Sequence, residues 1–334
     1  MKYFIFATVA LFSLLGILGW LKKEPKKSQE EIVQEIPLAK PVPHSQIAAS
    51  AVIDLTPPHK ASASPSVVDE ALPEADLVER LFALDDSILP IVETVSFTSR
   101  VPWLKGRPAW IADYASHFET SRHFIARSLN CKLDYFTQKV SPGDRFNVFK
   151  KDLDLTFYLV VDLSRCKMWF YYIDQGANER VLLKSYRIGV GRLDPQKASG
   201  CATPLGKYAI GDKVAVYKPG TMGFYHDKKV EMVQVFGTRW IPLEKAIDGS
   251  SESPKGLGLH GAPCSVDPAT GACSEDLNKI GKHETDGGIL LSSEDLEELF
   301  AILITKPTVV EIVKDFHQAQ PPGREAEPIS RSAP

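Results

Sequence analysis

The sequence predicts a mainly β domain, a β-sandwich with one packed helix, preceded by a small helical or α+β module. Three observations predict it. Tyr158–Val161 and Met168–Tyr172 are runs of β-branched and aromatic residues, with Asp162-Leu-Ser-Arg165 as the turn between them, and Val181–Val190, Lys207–Ile210 and Val230–Phe236 continue the pattern. A single segment of that half reads as a helix. Ser292 is its N-cap, Glu294 and Asp295 sit in its first turn against the dipole, and Leu296, Leu299, Phe300 and Leu303 form one apolar face. Upstream, Leu77, Leu81, Phe82 and Leu84 suggest a short amphipathic helix, and Phe124, Ile125, Ala126 and Leu129 a second.

The elements follow in chain order. Residues 3–21 form an uncharged apolar run of nineteen residues between Lys2 and Lys22. As a helix it would span roughly 28 Å, close to the thickness of a bilayer core. No small-residue cleavage site ends it cleanly, so an uncleaved membrane anchor is favoured over a removed signal segment. From Lys22 to Glu74 the chain has eight prolines and little apolar periodicity, so it is expected to stay a disordered linker with a coil reach of about 40 Å. Residues 75–151 hold the small module, in which Pro142-Gly-Asp144 makes a turn and Arg145–Phe149 alternates like a strand. Residues 152–316 hold the β domain, closed by Thr308–Val313 as a strand, and 317–334 are expected to be a disordered tail. A hydrophobic content of 44% and a charged content of 24% are ordinary globular values. A net charge of −3 with no basic, aromatic-interleaved patch argues against nucleic acid as a partner.

Four short motifs in order carry a resemblance. Thr156–Asp162 with Lys167–Tyr172 looks like an opening hairpin, and Thr203-Pro-Leu-Gly206 a Thr-Pro-x-Gly turn. Leu259-His260-Gly261 ends an apolar strand, and Gly281-Lys-His-Glu-Thr-Asp-Gly-Gly-Ile-Leu-Leu291 leads into the acidic, leucine-rich helix. Together, over roughly residues 154–315, they resemble the L,D-transpeptidase (YkuD-type) catalytic domain of bacterial cell-wall enzymes. That family ends its motif in (Ser/Thr)-His-Gly-Cys-x-Arg. Thr285, Gly287 and Ile289 fit, whereas Asp286 stands at the His, Gly288 at the nucleophilic Cys and Leu290 at the Arg. Ile125-Ala126 followed by Val140–Val148 also resembles the second half of LysM-type glycan-binding modules, whose first strand is not evident here. The module therefore reads either as wall-binding or as a packing and positioning domain.

The resemblance implies an enzyme in which a Cys thiolate attacks the carbonyl of the third residue of a stem tetrapeptide, expels D-Ala, and is resolved by the amine of a neighbouring stem. Such a thiol needs an imidazole to take its proton and donors for the oxyanion. His260 holds the general-base position. Gly288 can form no acyl intermediate, Leu290 removes a guanidinium that would engage a carboxylate, and Asp286 adds an anion. Gly261, Thr285, Asp286, Gly287 and Leu290 are the expected substrate-binding positions. The implied protein is a cell-envelope pseudoenzyme facing the periplasm or wall, with no cofactor. Its implied partners are peptidoglycan stem peptides, cell-wall synthesis proteins, and the membrane through its N-terminal segment. The four lysines after the apolar run favour the opposite orientation.

The five cysteines leave alternatives open. Cys264 and Cys273 flank a turn-rich loop and either pair as a disulfide in an oxidising compartment or remain inert thiols. Cys264, four residues after His260, is also the candidate for a relocated nucleophile. No Cys/His spacing matches a zinc site, so no metal is expected.

Overall fold

The computed structural model describes residues 72–130, 139–212, 214–247, 253–267, 269–270 and 272–326. The expected anchor, all but the last residues of the linker, and the end of the tail lie outside them. Among the described residues no helix is long and apolar enough to cross a membrane.

The segment expected as a first helix is a single 3-10 turn, Val78–Leu81. It stops there because the next residues fold into an Asp85–Ser87 turn in which the Asp85 carboxylate accepts from the Ser87 amide at 2.9 Å. Four elements follow: β1 (Val92–Ser96), α1 (Ile111–His117), α2 (Arg122–Asn130) and β2 (Arg145–Phe149). The strand that the sequence concealed is β1, which pairs antiparallel with β2 from Val92↔Phe149 to Ser96↔Arg145. Its run Val-Glu-Thr-Val-Ser is short and half-polar, hence its weak signal. Phe97, Tyr114, Ile125, Phe146 and Val148 build a small core between strands and helices. Phe124, one residue along α2, points instead into the main core.

The main sheet follows from the apolar runs. β3 (Leu155–Asp162) and β4 (Lys167–Asp174) form the expected hairpin, and β5 (Glu179–Arg187) pairs with β4. After the short β6 (Val190–Gly191) come β7 (Gly206–Ile210) and β8 (Ala215–Val216). Beyond them lie β9 (Met222–Tyr225), β10 (Lys228–Glu231), the one-turn helix α3 (Val233–Phe236) and β11 (Arg239–Ala246). The expected strand Val230–Phe236 is thus divided between β10 and α3. Val233 and Phe236, three apart, bury on one side of that turn, and Gly237 at φ 63° ends it.

β12 (Gly258–Gly261), β13 (Cys264–Val266), β14 (Cys273–Glu275), β15 (His283–Thr285) and β16 (Ile289–Leu291) precede α4 (Ser293–Leu303), β17 (Thr308–Val313) and β18 (Arg324–Glu325). Ten of these strands form one curled sheet in the order β16-β12-β11-β7-β17-β3-β4-β5-β18, with β8 beside β11. The mainly β, sandwich-like domain with packed helices is as expected. The Ser292 hydroxyl caps α4 by accepting from the Asp295 amide at 3.1 Å.

β3 and β4 are buried on both faces, which is why they read as continuous apolar runs. Phe157, Leu159, Met168 and Phe170 face the main core. Tyr158, Val160, Trp169 and Tyr171 face outward and are covered by Leu72, Ala75, Phe316 and Ala319 from the two flanking segments. The Trp169 indole donates to the Pro73 carbonyl at 2.8 Å. The edge of β5 is closed by the same segments, through the Asp76↔Lys184 bridge and through β18.

One polar cluster joins α2, α4 and β5. Glu298, 3% exposed on α4, accepts from the Tyr186 hydroxyl at 2.7 Å and from the Lys184 ammonium at 3.0 Å, and lies 3.9 Å from the Arg127 guanidinium. Burial raises the Glu298 carboxyl, against the pull of Lys184, Tyr186 and Arg127.

Candidate functional site

The parallel pairing of β12 with β16 sets the register Leu259↔Ile289, His260↔Leu290, Gly261↔Leu291. It brings His260 beside Leu290 and turns its ring towards Gly288, the residue just before β16. A Cβ on Gly288 would lie 2.8 Å from His260 Cδ2 and 2.9 Å from Nε2, so the imidazole occupies space that a side chain would claim. The ring is held by a stack on Trp240 with centroids 5.8 Å apart and an edge contact with Phe236 at 5.5 Å.

His260 Nδ1 lies 3.1 Å from the Gly261 carbonyl oxygen. A carbonyl only accepts, so this contact is a hydrogen bond when Nδ1 carries the proton. Nε2 is then the lone pair directed at Gly288, which is the tautomer a general base requires. Burial holds His260 down to about 4, against the Gly261 carbonyl and Asp286 and with Lys279 assisting. The imidazole is therefore neutral at pH 7. Because the unfolded chain binds a proton near 6.5 while the fold does not until about 4, acidification between those values favours unfolding. The expected loss is about 3 kcal/mol, complete near pH 4. Urea titrations at pH 7 and 4.5 should show His260→Gln to be less acid-sensitive than the parent, and equal sensitivities would refute the assignment. His123, lowered to about 4 chiefly by burial, acts in the same direction in both proteins.

His260, Thr285, Asp286, Gly288 and Leu290 line one cleft of about 280 Å³, together with Tyr225, Val235, Phe236, Trp240 and Lys279. Not every expected site residue faces it. Gly261 packs behind, where a Cβ would meet Leu296 at 3.3 Å. Gly287 has φ 117° and approaches the Ala202 carbonyl, so glycine is required there for the turn. Thr285 is committed internally, its hydroxyl donating to the Gly288 carbonyl at 2.7 Å and accepting from the Gly287 amide at 3.2 Å. Thr203 of the Thr-Pro-x-Gly turn donates to the Gly287 carbonyl at 2.9 Å, tying that turn to the site loop.

Asp286 is an anion beside the cleft, and the fold gives it partners. Its carboxylate pairs with Arg192, accepts from the Tyr225 hydroxyl, and lies 3.5 Å from His226 Nε2. Burial alone would raise it, but Tyr225, Arg192 and His226 outweigh that and hold it below the ordinary carboxylate range. Tyr225 and His226 belong to the β9–β10 hairpin, whose two-residue turn His226-Asp227 has φ 47° and 60°. Two consecutive left-handed residues mark a type I′ turn, here made without glycine. Asp286 fastens that hairpin beside the cleft. Tyr225, His226, Arg192 and Lys279 carry no motif and were not legible as site residues.

Cys264 and Cys273 form a disulfide, Cα–Cα 5.6 Å, across the β13–β14 hairpin. Cys166 and Cys201 are buried thiols, and Cys131 lies outside the described residues.

Residues 156–312 match the L,D-transpeptidase catalytic domain, YkuD. The segment is a YkuD-type L,D-transpeptidase domain. It belongs to a family associated with the cell envelope and peptidoglycan. Among solved structures, the chain is similar to Bd1075 of Bdellovibrio bacteriovorus, at 14% identity and a TM-score of 0.31 over 48% of each chain. It is also similar to Pgp2 of Campylobacter jejuni, described as a helical cell shape determining protein. There the identity is 16% and the TM-score 0.31, over 48% of this chain and 49% of that one. The chain thus spans about half the length of these structures. No curated protein matches it.

Proposed function

We propose that the protein is a cell-envelope pseudoenzyme whose YkuD domain binds peptidoglycan stem peptides without turning them over. The observation that carries this reading is the packing at Gly288. The position that the resemblance assigns to the nucleophile has no side chain, and the His260 ring fills the space while keeping the tautomer of a base. Nothing is left for that base to deprotonate, since a serine, threonine or cysteine at 288 is what the chemistry needs. The disulfide on Cys264 argues against that residue as a relocated nucleophile, because only a thiolate attacks. The cleft itself persists, with apolar walls and a few polar groups suited to a peptide. The chain would be held at the membrane by residues 3–21, with the folded part on the wall side.

A second reading concerns the β1-α1-α2-β2 module. Its antiparallel β1–β2 pair supplies the strand missing from the LysM resemblance, and Trp110 presents a 69% exposed indole at the start of α1. We infer that it contributes glycan binding.

One experiment addresses both. Purified protein is sedimented with intact sacculi and with glycan strands stripped of their stems, and its mass is measured after incubation with a carbapenem. Stem binding predicts retention on intact sacculi, weaker retention on stripped glycan, and an unchanged mass. A covalent adduct on any cysteine would overturn the pseudoenzyme reading. Equal retention on both materials would move the binding to the module.

A further inference from the structure

We infer that Lys279 is the anion-binding residue of the cleft, so that the ligand presents a carboxylate beside an apolar group. This rests on the stem-peptide reading of the same site and specifies how the ligand is held. Of the residues lining the cleft, only Lys279 and Asp286 are charged. Asp286 already has its charge met by Arg192 and its oxygens engaged by Tyr225 and His226. Lys279, by contrast, is half-buried, and among the described residues its ammonium has no ion pair or hydrogen bond. The imidazole between them is neutral and adds no charge. The cleft therefore offers one uncompensated cation against walls of Val235, Phe236, Trp240 and Leu290, and a partly desolvated cation favours an anionic partner.

The backbone fixes this lysine in place. Ile280 N–H donates to Leu277 O at 3.0 Å, Lys282 N–H to Lys279 O at 3.3 Å, and Gly281 N–H to Ile188 O at 2.9 Å. The Lys279 carbonyl sits so close to Gly189 that a Cβ there would approach it to 2.5 Å. The turn is thus packed against the strand leading to β6, and Lys279 is presented from a held main chain. Leu290, at the position where the resemblance expects a guanidinium, is 1% exposed and apolar. The carboxylate contact has moved from the floor of the cleft at 290 to its wall at 279.

Calorimetric titration with two probes tests this: a tetrapeptide ending in D-Ala as the free acid, and the same peptide as its C-terminal amide. The parent protein should bind the acid at least about tenfold more tightly than the amide, the effect of one charge-assisted hydrogen bond. Lys279→Met should abolish that preference by weakening acid binding far more than amide binding, and Lys279→Arg should retain most of it. Equal binding of acid and amide by the parent, or an acid preference that survives Lys279→Met, would overturn the role of Lys279 and leave the stem-peptide reading standing. Binding of neither probe by the parent would sink both.

Discussion

Gly288→Cys is expected to convert a protein that a carbapenem leaves unmodified into one that is acylated once per chain. Position 288 does not have left-handed backbone geometry, so a side chain is conformationally allowed there. The new thiol would stand beside His260 Nε2, the unprotonated nitrogen of the ring. The obstacle is steric: a Cβ would lie 2.8 Å and 2.9 Å from the imidazole edge and 3.3 Å from the Gly258 carbonyl. The ring must withdraw against Trp240 and Phe236, at a cost of about 1–3 kcal/mol for an overpacked buried site. Gly288→Ala, which carries the same steric cost without a thiol, measures that cost in urea. Labelling is expected to be slow, because Leu290 supplies no guanidinium and the imidazole is displaced from its best packing. Adding His260→Gln to Gly288→Cys should slow it further. A folded Gly288→Cys protein that takes up no label, by intact mass, would show that the cleft does not present position 288 to a ligand.

Glu298→Ala is expected to destabilise the fold by about 3–5 kcal/mol, the range for removing one partner of a buried ion pair. It leaves the Lys184 ammonium only Asp295 at 3.4 Å and Arg127, with 5% side-chain exposure, only Glu79 at 3.6 Å, itself a largely exposed residue. It also removes the acceptor of the Tyr186 hydroxyl. A loss of that size is a large fraction of the stability of an ordinary domain. Because Arg127 comes from α2, the damage should spread to the β1–β2 module, and far-ultraviolet and tryptophan signals should still report one transition. A loss below about 1 kcal/mol in equilibrium urea unfolding would mean that the cluster contributes little net energy. The paired change Glu298→Leu with Lys184→Met should recover part of the loss, since it removes the Lys184 charge together with its partner, while Arg127 keeps only Glu79.

The sequence was most informative where burial is two-sided or a cap is explicit. The β3–β4 hairpin announced itself because both faces of Phe157–Val161 and Met168–Tyr172 are covered, and α4 because Ser292 and its acidic first turn precede a regular apolar stripe. β1 stayed hidden because a five-residue strand with Glu93, Thr94 and Ser96 has no clean alternation. Val230–Phe236 was misread because three valines and a phenylalanine suit a strand by composition, whereas a spacing of three places Val233 and Phe236 on one side of a helical turn. Within the site, His260, Asp286, Gly288 and Leu290 were legible as positions of a motif, and the chain brings them to one cleft. The partners that neutralise Asp286 were not, since Arg192, Tyr225 and His226 lie 94, 61 and 60 residues before it. Long-range ion pairs leave no local periodicity to read. Glu298 was likewise invisible, being one of several acidic residues in a helix whose polar face is normally solvated.

The way the flanking segments close the sheet has a practical consequence for dissecting the chain. The segment that matches the family begins at Thr156 and ends at Ile312. A fragment cut at those limits would lose Leu72, Ala75 and Phe316 from the outer face of the hairpin, and both the Asp76 bridge and β18 from the edge of β5. It would then present Trp169 and Tyr171 to water beside a row of unpaired backbone donors and acceptors, the combination that invites one sheet to add to another. Self-association of such a fragment would report the exposed edge and say nothing about the oligomeric habit of the whole protein. The region shared with the family and the region able to remain soluble alone are different stretches of this chain.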